Sequence, residues 1–330
     1  MNLFDTTLRD GGNVVGSGFS EELTLSIVNG LTAAGITDIE LGNCKGLGAY
    51  EKLKSTDGPS DDDYFRMLQP VLNKGNLGMF LLAKLANEGL IKKAADGGLN
   101  FLRLGADAGD GAGALDAVAQ VKKAGLVCRY SLMKGYVSTP EELCAEAKML
   151  QDAGVDKITF MDSAGTMFPA DTTRYITAMK EALTIPVGFH GHSNLGLSQA
   201  NALAAVAAGA DEVDCGLLGM ARSAGNCATE LAVATLQKEG YLPEVDLFGL
   251  LGYLEDELIP AMKAYNYHVA VSPLDLILGL SGCHSGFLPM FKAVAEEENV
   301  SLLRLVATVS AIDRKAPTKE LLTTVAATLR

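Results

Sequence analysis

A (β/α)8 barrel of the TIM type, carrying a small helical C-terminal extension, is the α/β fold this sequence predicts, and three observations predict it. Eight short apolar runs recur, at 3–7, 38–41, 78–82, 101–104, 127–131, 157–161, 187–189 and 212–214. Amphipathic or alanine-rich stretches lie between them, among them 21–34, 140–152 and 197–207. Several of these helices run into a glycine (Gly35, Gly125, Gly154, Gly209) at a C-cap position just before the next strand. Strand–helix alternation repeated eight times makes a parallel sheet closed on itself. A doubly wound open sheet fits less well, because no Gly-x-Gly-x-x-Gly turn follows an early strand.

The helix at 229–239 closes the barrel, and 245–264 reads as one further helix. From Tyr265 the alternation stops, so the expected division is 1–264 for the catalytic barrel and 265–330 for the extension. Helices are expected in the extension at 273–280, 287–298 and 319–329. The segment 43–63 is long, polar and glycine-rich. It follows the second strand and so belongs at the catalytic face, as a lid or as a variable surface loop.

Composition narrows the function. A chain of 330 residues suits one barrel with an appendage. The formal net charge is −13 and no Lys/Arg run exists, which argues against a nucleic-acid partner. Six cysteines (44, 128, 144, 215, 227, 283) show no Cys-x-x-Cys spacing, so a reducing cytoplasm is the expected compartment. The N-terminus lacks a basic region followed by an apolar stretch, and no apolar run reaches the roughly 18–20 residues that a bilayer requires.

In a barrel of this type the strand C-termini converge on one mouth. The first strand runs into Asp5-Thr6-Thr7-Leu8-Arg9-Asp10-Gly11. The second carries Glu40, the fourth Arg103, the sixth Asp162 and Ser163, and the eighth Asp214, followed by Gly225-Asn226. The seventh ends in His190-Gly191-His192, and residues i and i+2 of a strand share one face. Two imidazoles so placed can grip one divalent cation, although two strand-end histidines bonded to backbone would look the same. With carboxylate and carbonyl oxygens converging on them, they make a mixed N/O site for Mn²⁺, Mg²⁺, Co²⁺ or Zn²⁺. No cysteine joins the cluster, which disfavours a closed structural zinc site.

Asp-Thr-Thr-Leu-Arg-Asp-Gly, His-x-His and Gly-Asn, in that order over residues 3 to 230, resemble the metal-dependent lyase and synthase barrels. That family includes 4-hydroxy-2-oxovalerate aldolase, hydroxymethylglutaryl-CoA lyase, isopropylmalate synthase and homocitrate synthase. The resemblance implies Asp10, His190 and His192 as metal ligands, with Asn226 a further ligand or near-ligand. It implies that Arg9 faces the substrate keto oxygen and that Glu40 holds Arg9. The aldolase branch looks nearest, because Val213 to Met220 and the six residues to Asn226 match its eighth-strand segment. The run 278–288 is also similar to an aldolase segment. The implied reaction is divalent-metal-dependent cleavage or formation of a carbon–carbon bond in a 4-hydroxy-2-oxo acid through a pyruvate-type enolate, with Mn²⁺ or Mg²⁺ the foremost cofactors. Its small-molecule partners would be a 2-oxo acid and an aldehyde. A homodimer and an aldehyde dehydrogenase partner are further family expectations.

One departure stands out. The aldolases carry a His three positions after the metal Asp, where this chain has Asn13, and an amide cannot accept a proton near pH 7. His284 falls where the aldolase segment carries a Tyr, so it is the candidate base, with Asn13 orienting. Ser163 and Thr166 are candidates for the substrate carboxylate. Arg103 would contact substrate or pair with Glu40 or Asp162, and Arg222 would read a second acidic group. Tyr130, Tyr136 and His268 receive no role. Two rival readings are a Claisen-type acyl-CoA synthase or lyase of the same barrel family, and a non-catalytic scaffold barrel.

Overall fold

A computed structural model describes residues 1–267 and 273–330, which leaves His268 outside the described residues. Its strands are β1 (Asn2–Asp5), β2 (Asp38–Leu41), β3 (Asn76–Leu82), β4 (Phe101–Asp107), β5 (Val127–Met133), β6 (Lys157–Asp162), β7 (Val187–Gly191) and β8 (Glu212–Cys215). They pair in sequence order into a closed barrel. β1 closes on β8 in parallel register, Asn2 beside Glu212 through Asp5 beside Cys215. Several strands outrun the apolar runs that announced them. Asp107, Asp162 and Gly191 still pair with neighbours although none is apolar.

Local chemistry fixes the helix starts. Thr139 and Glu142 form a reciprocal capping box, with Pro140 at the first helical position, and they open the helix Pro140–Asp152. Ser20 caps Glu21–Ala33 by accepting from the Leu23 N–H. The helix expected at 245–264 is interrupted. It runs Leu247–Tyr253, passes through a π turn at Leu254–Leu258 and resumes at Ile259–Met262. Pro260, which has no N–H to donate, sits at that junction.

The segment 43–63 is no loose loop. Asn43 Nδ2 donates to the Ser55 carbonyl at 2.8 Å, and the Asp61 carboxylate accepts from the Gly48 N–H at 2.8 Å. A second capping box, Ser60 with Asp63, opens the helix Asp61–Met67 inside it. Both anchors are buried.

The extension has its own core of Leu278, Phe291, Val306 and Leu322. Its helices are Pro273–Ser281, Leu288–Glu297, Leu302–Ile312 and Lys319–Ala326. Leu302–Ile312 was not expected, although it buries one face through Leu305, Val306 and Val309. The extension is tied to the barrel mouth. Tyr136 Oη donates to the Gly282 carbonyl at 3.0 Å, and Lys315 Nζ to the Ala108 carbonyl at 2.8 Å. Among the described residues no helix is long and apolar enough to cross a membrane. All six cysteines are free.

Candidate active site

The loop after β1 begins with a carboxylate that ties it down. Asp5 accepts from the Thr7 N–H and the Thr229 hydroxyl, each at 2.9 Å. The chain then turns through Arg9 into a short 3₁₀ helix, Asp10–Val14, which sets Asp10 at the mouth. His190 comes from the end of β7. His192 lies just beyond it, in an isolated antiparallel bridge with Asn226.

Asp10, His190 and His192 are buried, and one ligand atom from each lies within 4.8 Å of the others. The Asp10 Oδ2 to imidazole Nε2 distances are 3.7 Å for His190 and 3.9 Å for His192. Those gaps are too long for hydrogen bonds. Two metal–ligand bonds of about 2.1 Å span at most about 4.2 Å, so one shared ion fits them. His190 Nδ1 lies 3.0 Å from Asp214 Oδ2, an arrangement that directs the Nε2 lone pair toward Asp10. Burial pushes His192 down to about 3, so its imidazole is neutral at neutral pH, as a metal ligand must be. Burial alone would raise the Asp10 carboxyl, but the guanidinium groups of Arg9 and Arg222 hold it well below the usual range. Asn226 Nδ2 donates to Asp10 Oδ2 at 3.0 Å, and its buried Oδ1 has no partner. Two imidazoles, a carboxylate and a spare amide oxygen fit a divalent metal.

A chain of alternating charges runs inward from this cluster. Arg9 Nη1 lies 3.0 Å from Asp10, and Arg9 Nε donates to Glu40 Oε1 at 2.5 Å. Arg103 donates to both Glu40 oxygens, at 2.6 and 2.7 Å, and through Nη1 to Asp214, which holds His190. Burial would raise both carboxyls, but Arg103, joined by Arg9 at Glu40 and by His190 at Asp214, keeps them low. Arg103 is 0% exposed and does not line the cavity, so its substrate contact is corrected to a positioning role: its guanidinium is committed to two carboxylates.

The mouth encloses a cavity of about 470 Å³ that contains Arg9, Asp10, Ser163, His190, His192, Arg222 and His284 in its wall. Thr166 stays outside it. Its N–H donates to Asp162 Oδ1 at 3.0 Å, which makes it part of the β6 turn instead of a carboxylate binder. Gly165 in that turn has φ +59°, and a Cβ there would lie 2.5 Å from the His192 carbonyl, so only glycine lets the turn pass the histidine. Asn13 also lies outside the cavity wall. Its Nδ2 donates to the Asp10 carbonyl at 2.8 Å and approaches Asp10 Oδ1 at 3.4 Å.

His284 reaches the cavity from the extension, with Phe287 beside it. Its Nδ1 accepts from the Gly286 N–H at 3.1 Å. A neutral imidazole that accepts at Nδ1 carries its proton on Nε2. Burial, with Arg222 and His192 nearby, pushes its pKa well down, so it is neutral and Nε2 is a donor. Base action at Nε2 requires the other tautomer and the loss of the Gly286 bond. Asp214 was placed at the mouth without its hold on His190, and Lys134 was not anticipated. Lys134 is held in the left-handed region (φ 53°), its N–H on Ser163 Oγ at 2.9 Å and its Nζ on Asp107 at 2.8 Å.

Known proteins share sequence and fold with this chain. The HMGL-like family matches residues 111–255. A 4-hydroxy-2-oxovalerate aldolase of Carboxydothermus hydrogenoformans is 34% identical over 92% of this chain and 89% of its own. An oxaloacetate decarboxylase of Mycobacterium tuberculosis is 33% identical over 92% of this chain and 89% of its own. The carboxyl transferase domain of Rhizobium etli pyruvate carboxylase with oxalate superposes with a TM-score of 0.80 at 17% identity, over 100% of this chain and 61% of that one. At that identity the likeness concerns the fold.

Proposed function

The chain belongs to the HMGL-like family alongside the 4-hydroxy-2-oxovalerate aldolases and is a carbon–carbon lyase, and from that premise we propose that it cleaves, and in reverse forms, 4-hydroxy-2-oxo acids at the Asp10 cluster. The observation that carries this reading is Arg9, fixed by Glu40 and placed 3.0 Å from Asp10 in the cavity wall.

Cleavage leaves a pyruvate-type enolate, and its cost is the charge gathering on the keto oxygen. Asp10, His190 and His192, with Asn226 beside them, would hold a divalent ion, which would supply positive charge to that oxygen and to the neighbouring carboxylate. Mn²⁺ or Mg²⁺ suits the mixed set best, with Co²⁺ or Zn²⁺ as alternatives. Arg9 adds a second, permanent positive charge. Burial alone would lower its pKa, but Asp10 and Glu40 hold it above its ordinary value. Its donors are oriented before substrate arrives, so they need no reorganisation as charge develops. Ser163 accepts from Lys134 and keeps its hydroxyl proton for the substrate carboxylate.

His284 handles the proton at the 4-oxygen. In the tautomer that Gly286 selects, Nε2–H donates to the oxygen that becomes an alkoxide when an aldehyde is attacked. His284→Ala is expected to lower aldehyde addition roughly 10²-fold, in the range for loss of one such donor, with bound metal retained. Unchanged turnover would remove His284 from the mechanism. Free thiols, all six, support a reducing cytoplasm as the place of work.

A second reading is favoured by Asn13. Decarboxylation of a 2-oxo acid with a β-carboxylate reaches the same enolate without a base at a hydroxyl group. The cationic cavity weighs against it, because a departing carboxylate loses its charge and nearby cations favour the ground state.

The first test is proton NMR of pyruvate in D₂O with the purified protein. Methyl exchange that requires Mg²⁺ or Mn²⁺ and stops on chelation is expected. No exchange with metal demonstrably bound would overturn the enolate reading.

A further inference from the structure

The chain carries a net charge of −13, yet its active-site cavity is cationic. Five Lys and Arg side chains line it against two carboxylates, Asp10 and Asp107. Arg9 is spent on Glu40 and Asp10, and Lys134 on Asp107 and the Lys315 carbonyl. The other three are Lys45, Lys84 and Arg222. Among the described residues neither Lys45 nor Lys84 has a carboxylate within ion-pair distance. The Arg222 guanidinium comes no nearer than 3.9 Å to Asp10 and makes no hydrogen bond to a described residue.

These three project from separate loops at the rim. Lys45 follows β2, Lys84 follows β3 and Arg222 follows β8. β2 and β3 are neighbours, so Lys45 and Lys84 share one side of the mouth. Their loops are also joined, by the Leu47 N–H on the Phe80 carbonyl at 2.8 Å. The 2-oxo acid half of the substrate offers one carboxylate, which Ser163, Arg9 and the metal already satisfy. An acetaldehyde-sized partner would leave the rim cations facing nothing, whereas a cavity of about 470 Å³ has room for a longer one.

Resting on the lyase reading above, we infer that the aldehyde half of the substrate carries its own anionic group, a carboxylate or a phosphate, bound by Lys45, Lys84 and Arg222. The enolate carbon joins the aldehyde carbon, the aldehyde oxygen takes a proton, and the distal anion stays unreacted at the rim. Its charge also draws the substrate toward a cationic opening of an acidic protein.

The test measures aldol addition to pyruvate with matched aldehydes. Succinic semialdehyde is set against butyraldehyde for the carboxylate arm, and glycolaldehyde phosphate against glycolaldehyde for the phosphate arm. In at least one arm kcat/KM is expected to favour the charged aldehyde tenfold or more, and that arm identifies the anion. The preference should shrink with added salt and fall toward one in Lys45→Ala/Lys84→Ala. A ratio near one in both arms, in a protein that exchanges the pyruvate methyl protons, overturns the inference and leaves the lyase reading standing. So does a preference that survives the double substitution. A protein that exchanges no pyruvate protons with metal bound overturns both.

Discussion

Asp10→Asn is expected to cost the protein its divalent metal and, with it, pyruvate proton exchange. The substitution keeps the shape of the side chain and removes the one negative charge among three ligand groups. Losing a partner one step outside a metal's ligands typically weakens binding 10- to 100-fold. Loss of a ligand itself should exceed that range, and exchange should fall by about 10³ or more, because the ion's several kcal/mol of charge stabilisation goes with it. The fold should survive. Arg9 retains Glu40, and Asn226 retains the bridge to His192. Metal content by elemental analysis, exchange by NMR and the unfolding midpoint together make the check. Full metal and full exchange in Asp10→Asn would show that the enolate forms elsewhere.

The residues at the rim were more legible than those beneath it. His190 and His192 could be paired from strand periodicity alone, because a period of two puts them on one face before any tertiary contact is known. Asp10 and Arg9 follow from where the first strand ends. Of the two roles left open for Arg103, the pairing with Glu40 holds and the substrate contact does not. An arginine in an apolar strand looks like a residue bound for a mouth. Its partners, Glu40 on β2 and Asp214 on β8, are distant in sequence and meet only when the barrel closes. One signal was present. Side chains in a barrel interior come in layers from alternate strands, and Glu40, Arg103 and Asp214 all lie on even-numbered strands. A second polar layer repeats the theme, with Arg129 flanked by Asp38 and Glu212. It is not strictly alternate, since Arg129 lies on β5. The tautomer of His284 was beyond the sequence altogether, because it depends on the turn that brings the Gly286 N–H to Nδ1. The segment 43–63 does reach the cavity wall through Cys44, Lys45 and Leu53, as its place after the second strand implies, but its internal order was not legible. Its polar, glycine-rich composition suggests mobility, whereas Asn43 and Asp61 spend their polar atoms inside the fold.

Arg103→Met is expected to destabilise the protein by about 3–5 kcal/mol at neutral pH, the cost of breaking a buried ion pair by removing one partner. Arg103, Glu40 and Asp214 are all 0–1% exposed, so water cannot replace the lost guanidinium. Glu40 would keep Arg9 and Asp214 would keep His190, but neither arrangement balances the charge. The dependence on pH separates this cause from a packing defect. In the wild type both carboxyls lie below their ordinary values of 4.5 and 3.8, because Arg103, with Arg9 at Glu40 and His190 at Asp214, outweighs burial. A carboxylate with a depressed folded pKa contributes stability above its unfolded pKa and loses it as pH falls through the folded value. Without Arg103, burial raises both, and the variant no longer has that contribution to lose. The gap between wild type and variant should therefore be widest near pH 7 and narrow below about pH 4. Metal affinity should fall 10- to 100-fold as well, since Asp214 is the group that orients His190. Denaturant midpoints from pH 3 to 8 with matched metal titrations decide it, and a gap that stays constant with pH would mean that Arg103 contributes by packing on Phe4, 4.5 Å away, instead of by charge.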